Sequence, residues 1–327
     1  MTVLVSIQQD VEAWQIPAEQ LGRLRRACPN HEFHYATTPA ERAAGLAACD
    51  IAYTWILSPA ELVAAPRLRW VHTSAVAAGT LCLEALAARG VVVTNTRGVQ
   101  GGPIAEHVFA TLLALTHRLP FALERQRAGA WAQNAFAGEQ LPVRLAELCL
   151  GVIGLGSIGA EVGRLGAAFG MRVIGVRRHP ERGAPEGVPE VWGPERLDDL
   201  VAAADVLVVA APLTGETEAL LDARRIGVLK RGAWLVNVAR GSLVDTEALL
   251  RALESGAISG AALDVFAQEP LPPDSPLWRA PNLLITPHMS GFRRGHWDDT
   301  VDVFIDNLGR WDRGEALRWR VDAARGY

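Results

Sequence analysis

Three side chains in the second half of the chain have the types that proton and carboxylate chemistry needs, and each follows an apolar run. Arg240 ends "WLVNVAR" and precedes Gly-Ser, which places it at the carboxyl edge of a strand, where ligands of open α/β sheets bind. A guanidinium there can grip a carboxylate in a planar, two-pronged way that lysine cannot copy. An ordinary surface ion pair is the alternative. His288 follows "LLITP" and is one of eight histidines; a solitary histidine is more often structural. Glu269, at the end of another strand, could hydrogen bond to it. A neighbouring carboxylate favours the charged ring, which could then donate a proton near neutral pH. Reduction of a carbonyl requires such a donor.

A second constellation is "GLGSIG", with Gly154, Gly156 and Gly159 enclosing Ser157 and Ile158, preceded by "LCLGVI" and followed by a helical stretch ending at Gly170. The first glycine permits a tight turn, the second lets backbone approach a pyrophosphate at the helix amino terminus, and the third lets helix and strand pack closely. Glycine clusters often mark only a turn, but here strand, glycines, helix and second strand follow in the order that a dinucleotide-binding unit needs. That second strand ends in "GVRRHP". Arg177 stands eighteen positions after Gly159, with Arg178 beside it, where an acid usually holds the ribose hydroxyls of NAD. Arginine cannot accept those bonds, but it pairs with a 2′-phosphate and stacks on adenine. The pair predicts NADP as cofactor, with NADPH preferred and NAD a possible substitute; two solvated arginines are the alternative.

Such side chains need a framework to hold them. The 327 residues are half hydrophobic and carry a net charge of −4, enough for two domains with large cores and without the field that grips nucleic acid or anionic lipid. Cys28, Cys49, Cys82 and Cys149 are widely spaced, which argues against disulfides or a metal site and for reduced thiols in a cytoplasmic protein. The start "MTVLVSIQQD" reads as a strand rather than a signal peptide, and no apolar run is long enough to span a membrane.

Apolar runs alternate with Ala- and Leu-rich helical stretches, the pattern of parallel α/β sheets. "TVLVSI", "IAYTWI", "LRWVHT" and "VVVTN" predict one sheet; "LCLGVIG", "RVIGV", "DVLVVAA", "WLVNVA", "GAALDV" and "LLITPH" predict another. "GGPIAEHVFATLLALTHRLP" reads as one long helix crossing between domains, and "ERGAPEGVPE" and "QEPLPPDSPLW" as loops. The amphipathic "WDDTVDVFIDNLGRWDRG", with Trp297, Val301, Phe304, Ile305 and Leu308 on its apolar side, is expected to return to the first domain. The expected architecture is two doubly wound parallel-sheet domains. Residues 99–289 would form a Rossmann dinucleotide-binding domain inserted into a flavodoxin-like substrate domain of residues 1–98 and 290–327.

From about Val71 onward the chain resembles the D-isomer-specific 2-hydroxyacid dehydrogenases, in particular glyoxylate/hydroxypyruvate reductases. The likeness rests on the order and spacing of "GLGSIG", "NTRGVQGGPIAEHVFA", "NVARG", "DVFAQEP" and "TPHMSG". It implies that Arg240 binds substrate, that His288 is the general acid and base, and that Glu269 orients it. It also implies cofactor contacts for Val238, Ala239, Arg240, Asp264, His288 and Gly291, and for Pro212 and Thr217 in "APLTGETEAL". Read without it, Asp264 could cap a loop and Thr217 a turn. Relatives receive the substrate carboxylate on a Ser-Ala-Gly-Val-Asp-like loop. Here that stretch is "HTSAVAAGT" with its glycine displaced, and Ser74, Val76, Ala77 and Gly79 could form the nest of amides. His296 and Trp297 are expected near the pocket or in helix packing.

The expected activity is hydride transfer between NAD(P)H and C2 of a small 2-oxo or 2-hydroxy acid by a cytoplasmic homodimer. Cleft closure about two hinges would exclude water. The alternatives are a cofactor-sensing binding protein of the same fold, or a phosphoglycerate, formate or phosphite dehydrogenase. The ending "VDAARGY" weighs against the long phosphoglycerate enzymes.

Overall fold

The strand runs "TVLVS", "IAYT" and "CLGVI" are buried at almost every position rather than at alternate ones, as happens where helices cover both faces of a parallel sheet. The computed structural model describes every residue except 10, 139, 140, 324, 325 and 327. It divides into two units, Met1–Val99 with Phe292–Tyr327, and Gln100–Gly291.

In the first unit, β1 (Thr2–Ser6), β2 (Glu32–Tyr35), β3 (Ile51–Thr54), β4 (Trp70–His72) and β5 (Val92–Thr94) form a sheet in the order β2-β1-β3-β4-β5. All its pairings are parallel. Its helices Pro39–Ala48 and Pro59–Val63 each begin at a capping box, Thr38 with Glu41 and Ser58 with Glu61, which satisfies orphan amides at the helix start. The helix His296–Asp312 buries Trp297, Val301, Phe304 and Leu308 among Val3, Val5, Tyr53 and Trp70. His72 lies in the same core with its ring stacked on Phe304, and burial pushes its pKa down to about 3. It is a neutral core residue.

In the second unit, seven strands run parallel in the order β12-β11-β10-β9-β6-β7-β8. They are β6 (Cys149–Ile153), β7 (Arg172–Val176), β8 (Glu190–Trp192), β9 (Val206–Val209), β10 (Trp234–Asn237), β11 (Gly260–Leu263) and β12 (Leu283–Ile285). The order reverses at β6, between β7 and β9, and a crevice at such a point is where dinucleotides bind. Both units are doubly wound parallel-sheet α/β structures.

Three expectations fail in instructive ways. The strands β2 and β8 were not expected: each lies at a sheet edge, β2 with four residues of mixed exposure and β8 with three half-buried ones, so neither gives an apolar run. The predicted long helix ends at Thr116, Arg118 turns with φ 56°, and Leu119–Arg127 forms a second helix with proline in its first turn. Proline suits that position because its missing N–H would be unpaired there anyway. Nor does the first of these helices cross between units, for it belongs wholly to the second, where Phe109 stacks on Phe169 at 5.0 Å. Among the described residues no helix is long and apolar enough to cross a membrane.

Candidate active site

Arg240 leaves the carboxyl end of β10 on a turn that its neighbours brace. Buried Asn237 donates to the Arg240 carbonyl at 3.0 Å and accepts from the Ala239 N–H at 3.0 Å. A Cβ on Gly241 would stand 1.9 Å from the Phe266 carbonyl carbon. That close approach sets the Arg240 turn against the loop that carries Glu269. The guanidinium donates to the Ala239 carbonyl at 2.6 Å. Burial lowers its pKa, and the negative charge of Glu269 works the other way.

Glu269 and His288 meet: His288 Nδ1 lies 2.7 Å from Glu269 Oε2, and the other carboxylate oxygen accepts the Phe266 N–H at 2.8 Å. Burial pushes the Glu269 pKa up, but the hydrogen bonds from His288 and Phe266 and the charges of His288 and Arg240 outweigh it, and the net direction is down. His288 adopts φ 52°, a left-handed conformation that costs energy for a residue with a Cβ. Its N–H donates to the carbonyls of Asp264 and Thr286, at 2.9 and 3.0 Å. Beneath it the buried Asp264 carboxylate accepts from Thr286 Oγ1 at 2.6 Å and from the N–H groups of Met289 and Ser290, both at 2.9 Å. Asp264 therefore ties together the loop that presents His288.

The turn after β6 enters the helix Ser157–Ala168 through Gly156. A Cβ on Gly159 would stand 1.9 Å from the Gly154 carbonyl oxygen, whereas one on Gly156 would meet nothing within 4 Å. The chain itself does not demand glycine at 156, and an open cradle at a helix amino terminus fits a pyrophosphate. Ile158 packs into the core and Ser157 opens the helix. Past β7, Arg177 donates to the Gly183 carbonyl at 3.4 Å, and Arg178 pairs with Glu216. Glu216 rides on the turn in which Thr217 Oγ1 donates to the Pro212 carbonyl at 2.7 Å. Val238 and Ala239 are buried, and Gly291 lies against the Gln100 side chain.

In the first unit, three carbonyls of the loop after β4 accept hydrogen bonds from Asn95 and Thr96. Thr96 donates to Ser74 and Ala75, and Asn95 to Val76, at 2.7, 3.2 and 2.6 Å. Among the described residues no hydrogen bond uses the N–H of Val76, Ala77 or Gly79. The Ser74 hydroxyl is buried without a partner.

The family model for the D-isomer specific 2-hydroxyacid dehydrogenase NAD binding domain matches residues 109–290, and the one for the catalytic domain of the same enzymes matches residues 12–130. The chain belongs to that family. It is 35% identical to a glyoxylate reductase of Korarchaeum cryptofilum, over 82% of this chain and 81% of the relative. With a glyoxylate reductase of Aeropyrum pernix it shares 38% identity, over 70% and 69%. Among solved structures it is similar to a family protein from Aeromonas salmonicida, with a TM-score of 0.82, 33% identity and coverage of 98% and 99%. A second, a D-isomer specific 2-hydroxyacid dehydrogenase from Xanthobacter autotrophicus in complex with NADPH and MES, gives a TM-score of 0.83, 32% identity and 99% coverage of both chains. The protein is thus an NAD(P)H-linked 2-hydroxyacid oxidoreductase.

Within this dehydrogenase, sequence reasoning overlooked the residues that brace the others. Asn237 and Thr286 lie inside "NVARG" and "TPHMSG", but their residue types alone do not tell what their side chains hold. His107 Nε2 approaches Thr286 Oγ1 at 3.1 Å, and burial pushes its pKa down, against the charge of Asp264. Trp297 is a core residue that donates to the Ala13 carbonyl at 3.2 Å. Beside it the His296 ring is held at a low pKa by burial and by Arg293.

Proposed function

We propose that this dehydrogenase moves hydride between NADPH and C2 of a small 2-oxo or 2-hydroxy acid, with Arg240, Glu269 and His288 as its reacting set. The observation that carries this reading is the 2.7 Å contact of His288 with Glu269 on a loop packed against the Arg240 turn. The bound nicotinamide supplies the hydride. His288 gives the proton to the carbonyl oxygen, or takes it back in the reverse direction, while Glu269 fixes the ring. Arg240 holds the substrate carboxylate and polarises the carbonyl. In the first unit, the Val76, Ala77 and Gly79 amides and the Ser74 hydroxyl suit an anionic oxygen. For the cofactor, Gly154, Gly156, Ser157, Ile158 and Gly159 would cradle the pyrophosphate. Pro212, Thr217, Val238, Ala239, Asp264 and Gly291 would shape its surroundings. Steady-state assays with NADPH and NADH against glyoxylate, hydroxypyruvate, pyruvate and bulkier 2-oxo acids test the reading; no turnover of any would overturn it.

NADPH preference rests on Arg177 and Arg178. Each charge-assisted hydrogen bond to a 2′-phosphate is worth about 1.5–3 kcal/mol, so Arg178→Ala should lower the NADPH/NADH ratio of kcat/KM about ten- to hundredfold. Glu216 competes with the phosphate for Arg178, so Glu216→Gln should raise that ratio. An unchanged ratio after removal of both arginines would separate them from the phosphate.

We also propose a cytoplasmic homodimer. Leu119, Leu123, Trp131 and Leu141 stand 49%, 50%, 90% and 53% exposed along one segment of the second unit, an apolar surface that a second copy would cover. Sedimentation equilibrium checks this: a dimer mass is expected, and a monomer would refute it.

A further inference from the structure

The stretch "GGPIAEHVFA" places a histidine on the helix Gly101–Thr116 that the proposed hydride and proton steps leave unused. His107 keeps only 15% of its side chain exposed. Its helix is well anchored inside the second unit, where Val108 and Leu112 share a core with Val236 of β10 and Ala262 of β11. Those two strands lead to Arg240 and Asp264, so His107 stands on a fixed support close to both.

The count of protons gives the direction of each bond around it. Both oxygens of the buried Asp264 carboxylate accept backbone N–H bonds, Oδ1 from Met289 and Oδ2 from Ser290, each at 2.9 Å. Thr286 Oγ1 lies 2.6 Å from Oδ1 and must give its single proton to that oxygen, because a carboxylate only accepts. The Thr286 oxygen can then only accept from His107 Nε2, 3.1 Å away. Burial lowers the His107 pKa, so the ring is neutral and has one proton to place; it sits on Nε2 and leaves Nδ1 bare. From Nε2 to Asp264 Oδ1 the distance is 4.0 Å, too long for a hydrogen bond. His107 therefore acts on the carboxylate through the Thr286 hydroxyl.

At the far end of this relay is the loop of His288. Its backbone at φ 52° is of a kind that persists only where the surroundings over-determine it. Asp264 closes the loop on both sides, holding Thr286 before His288 and Met289 and Ser290 after it. Hydrogen bonds in a chain polarise one another, so a donor at His107 strengthens the Thr286 bond on which one side of that closure depends.

We propose that His107 is a positioning residue for proton transfer, which as an Nε2–H donor locks the Thr286–Asp264 pair and so holds His288 in its working orientation. The proposal rests on the reading that His288 gives and takes the proton. The Arg240 turn has its own brace in Asn237, so loss of the His107 donor should fall on kcat and spare KM.

The test measures 2-oxo acid reduction at saturating NADPH, with kcat counted per NADPH-binding site so that unfolded protein does not enter. Removal of one neutral hydrogen bond should lower kcat about three- to tenfold in His107→Leu, with KM for the acid within about twofold of wild type. His107→Asn, whose shorter amide does not reach Thr286, should lose as much, and it carries the test if the leucine variant does not fold. His107→Gln places an amide N–H near the position of Nε2 and should restore most of the rate. In a Thr286→Val background the relay is already cut, so adding His107→Leu should change kcat by no more than about twofold. The ¹⁵N spectrum of wild-type His107, assigned by its loss in His107→Gln, should show Nε2 protonated and Nδ1 bare. Wild-type kcat in both His107→Leu and His107→Asn, no recovery in His107→Gln, losses that add with Thr286→Val, or a proton on Nδ1 would each overturn the proposal alone. Wild-type turnover in His288→Asn would overturn it together with the reading beneath it.

Discussion

His288→Asn is expected to lower kcat for 2-oxo acid reduction by about 10²–10⁴-fold, the usual contribution of a placed general acid, while cofactor affinity stays near that of the wild type. Asparagine keeps a polar group of similar reach but cannot give up a proton, so the loss falls on the chemical step. The pH profile separates this role from a structural one. Reduction consumes a proton and oxidation releases one, so kcat/KM for reduction should fall with rising pH and that for oxidation should rise, and both dependences should vanish in His288→Asn. Glu269→Gln should lower kcat, because an amide holds the ring in place less firmly than the carboxylate that contacts Nδ1 at 2.7 Å.

At the acid end the sign follows from Glu269, whose pKa lies below the ordinary value despite its burial. An unperturbed glutamate titrates near about 4.3. The ion pair should therefore persist to lower pH than that, and the acid loss of activity attributable to Glu269 should begin below it and vanish in Glu269→Gln. Stopped-flow turnover of His288→Asn at wild-type rates would remove His288 from the reaction.

The second large effect is at Arg240. Arg240→Lys is expected to cost about ten- to hundredfold in kcat/KM, because an ammonium gives a point contact where a guanidinium gives two parallel hydrogen bonds, each worth about 1.5–3 kcal/mol. Lysine also has less margin of charge. Burial lowers the pKa even of Arg240, and a lysine in its place starts from only about 10.4. KM should carry much of the loss, since the grip exists before hydride moves. Added guanidinium ion should partly restore Arg240→Ala and leave wild type and His288→Asn unchanged. Full activity in Arg240→Lys would show that the carboxylate is held elsewhere.

The sequence reveals residues that carry charge or permit a backbone approach, and hides those that hold them in place. Arg240, Glu269 and His288 could be named because each follows a strand and stands in a motif that resembles the family's, and the three glycines because their spacing belongs to a turn between strand and helix. Asn237, which fixes the Arg240 turn, looks like any buried asparagine until its two 3.0 Å bonds are seen. Strand β8 was hidden for a related reason. Its residues Glu190, Val191 and Trp192 are all half-buried at the sheet margin, and the pattern of an edge strand without an apolar run matches that of the proline-rich loop before it. The break after Thr116 was missed because the apolar period continues across it, while Arg118 alone supplies the left-handed turn.

The first unit is assembled from two separated stretches, and its helix His296–Asp312 completes the core around Val3, Tyr53 and Trp70. On the ribosome this imposes an order. The uninterrupted stretch Gln100–Gly291 can close its own core while synthesis continues. Over the same interval the earlier strands wait with one apolar face uncovered, because Val301, Phe304 and Leu308 have not yet been made. A nascent chain halted before Trp297 should therefore protect the later stretch from protease and leave the earlier one open to cleavage or to chaperones.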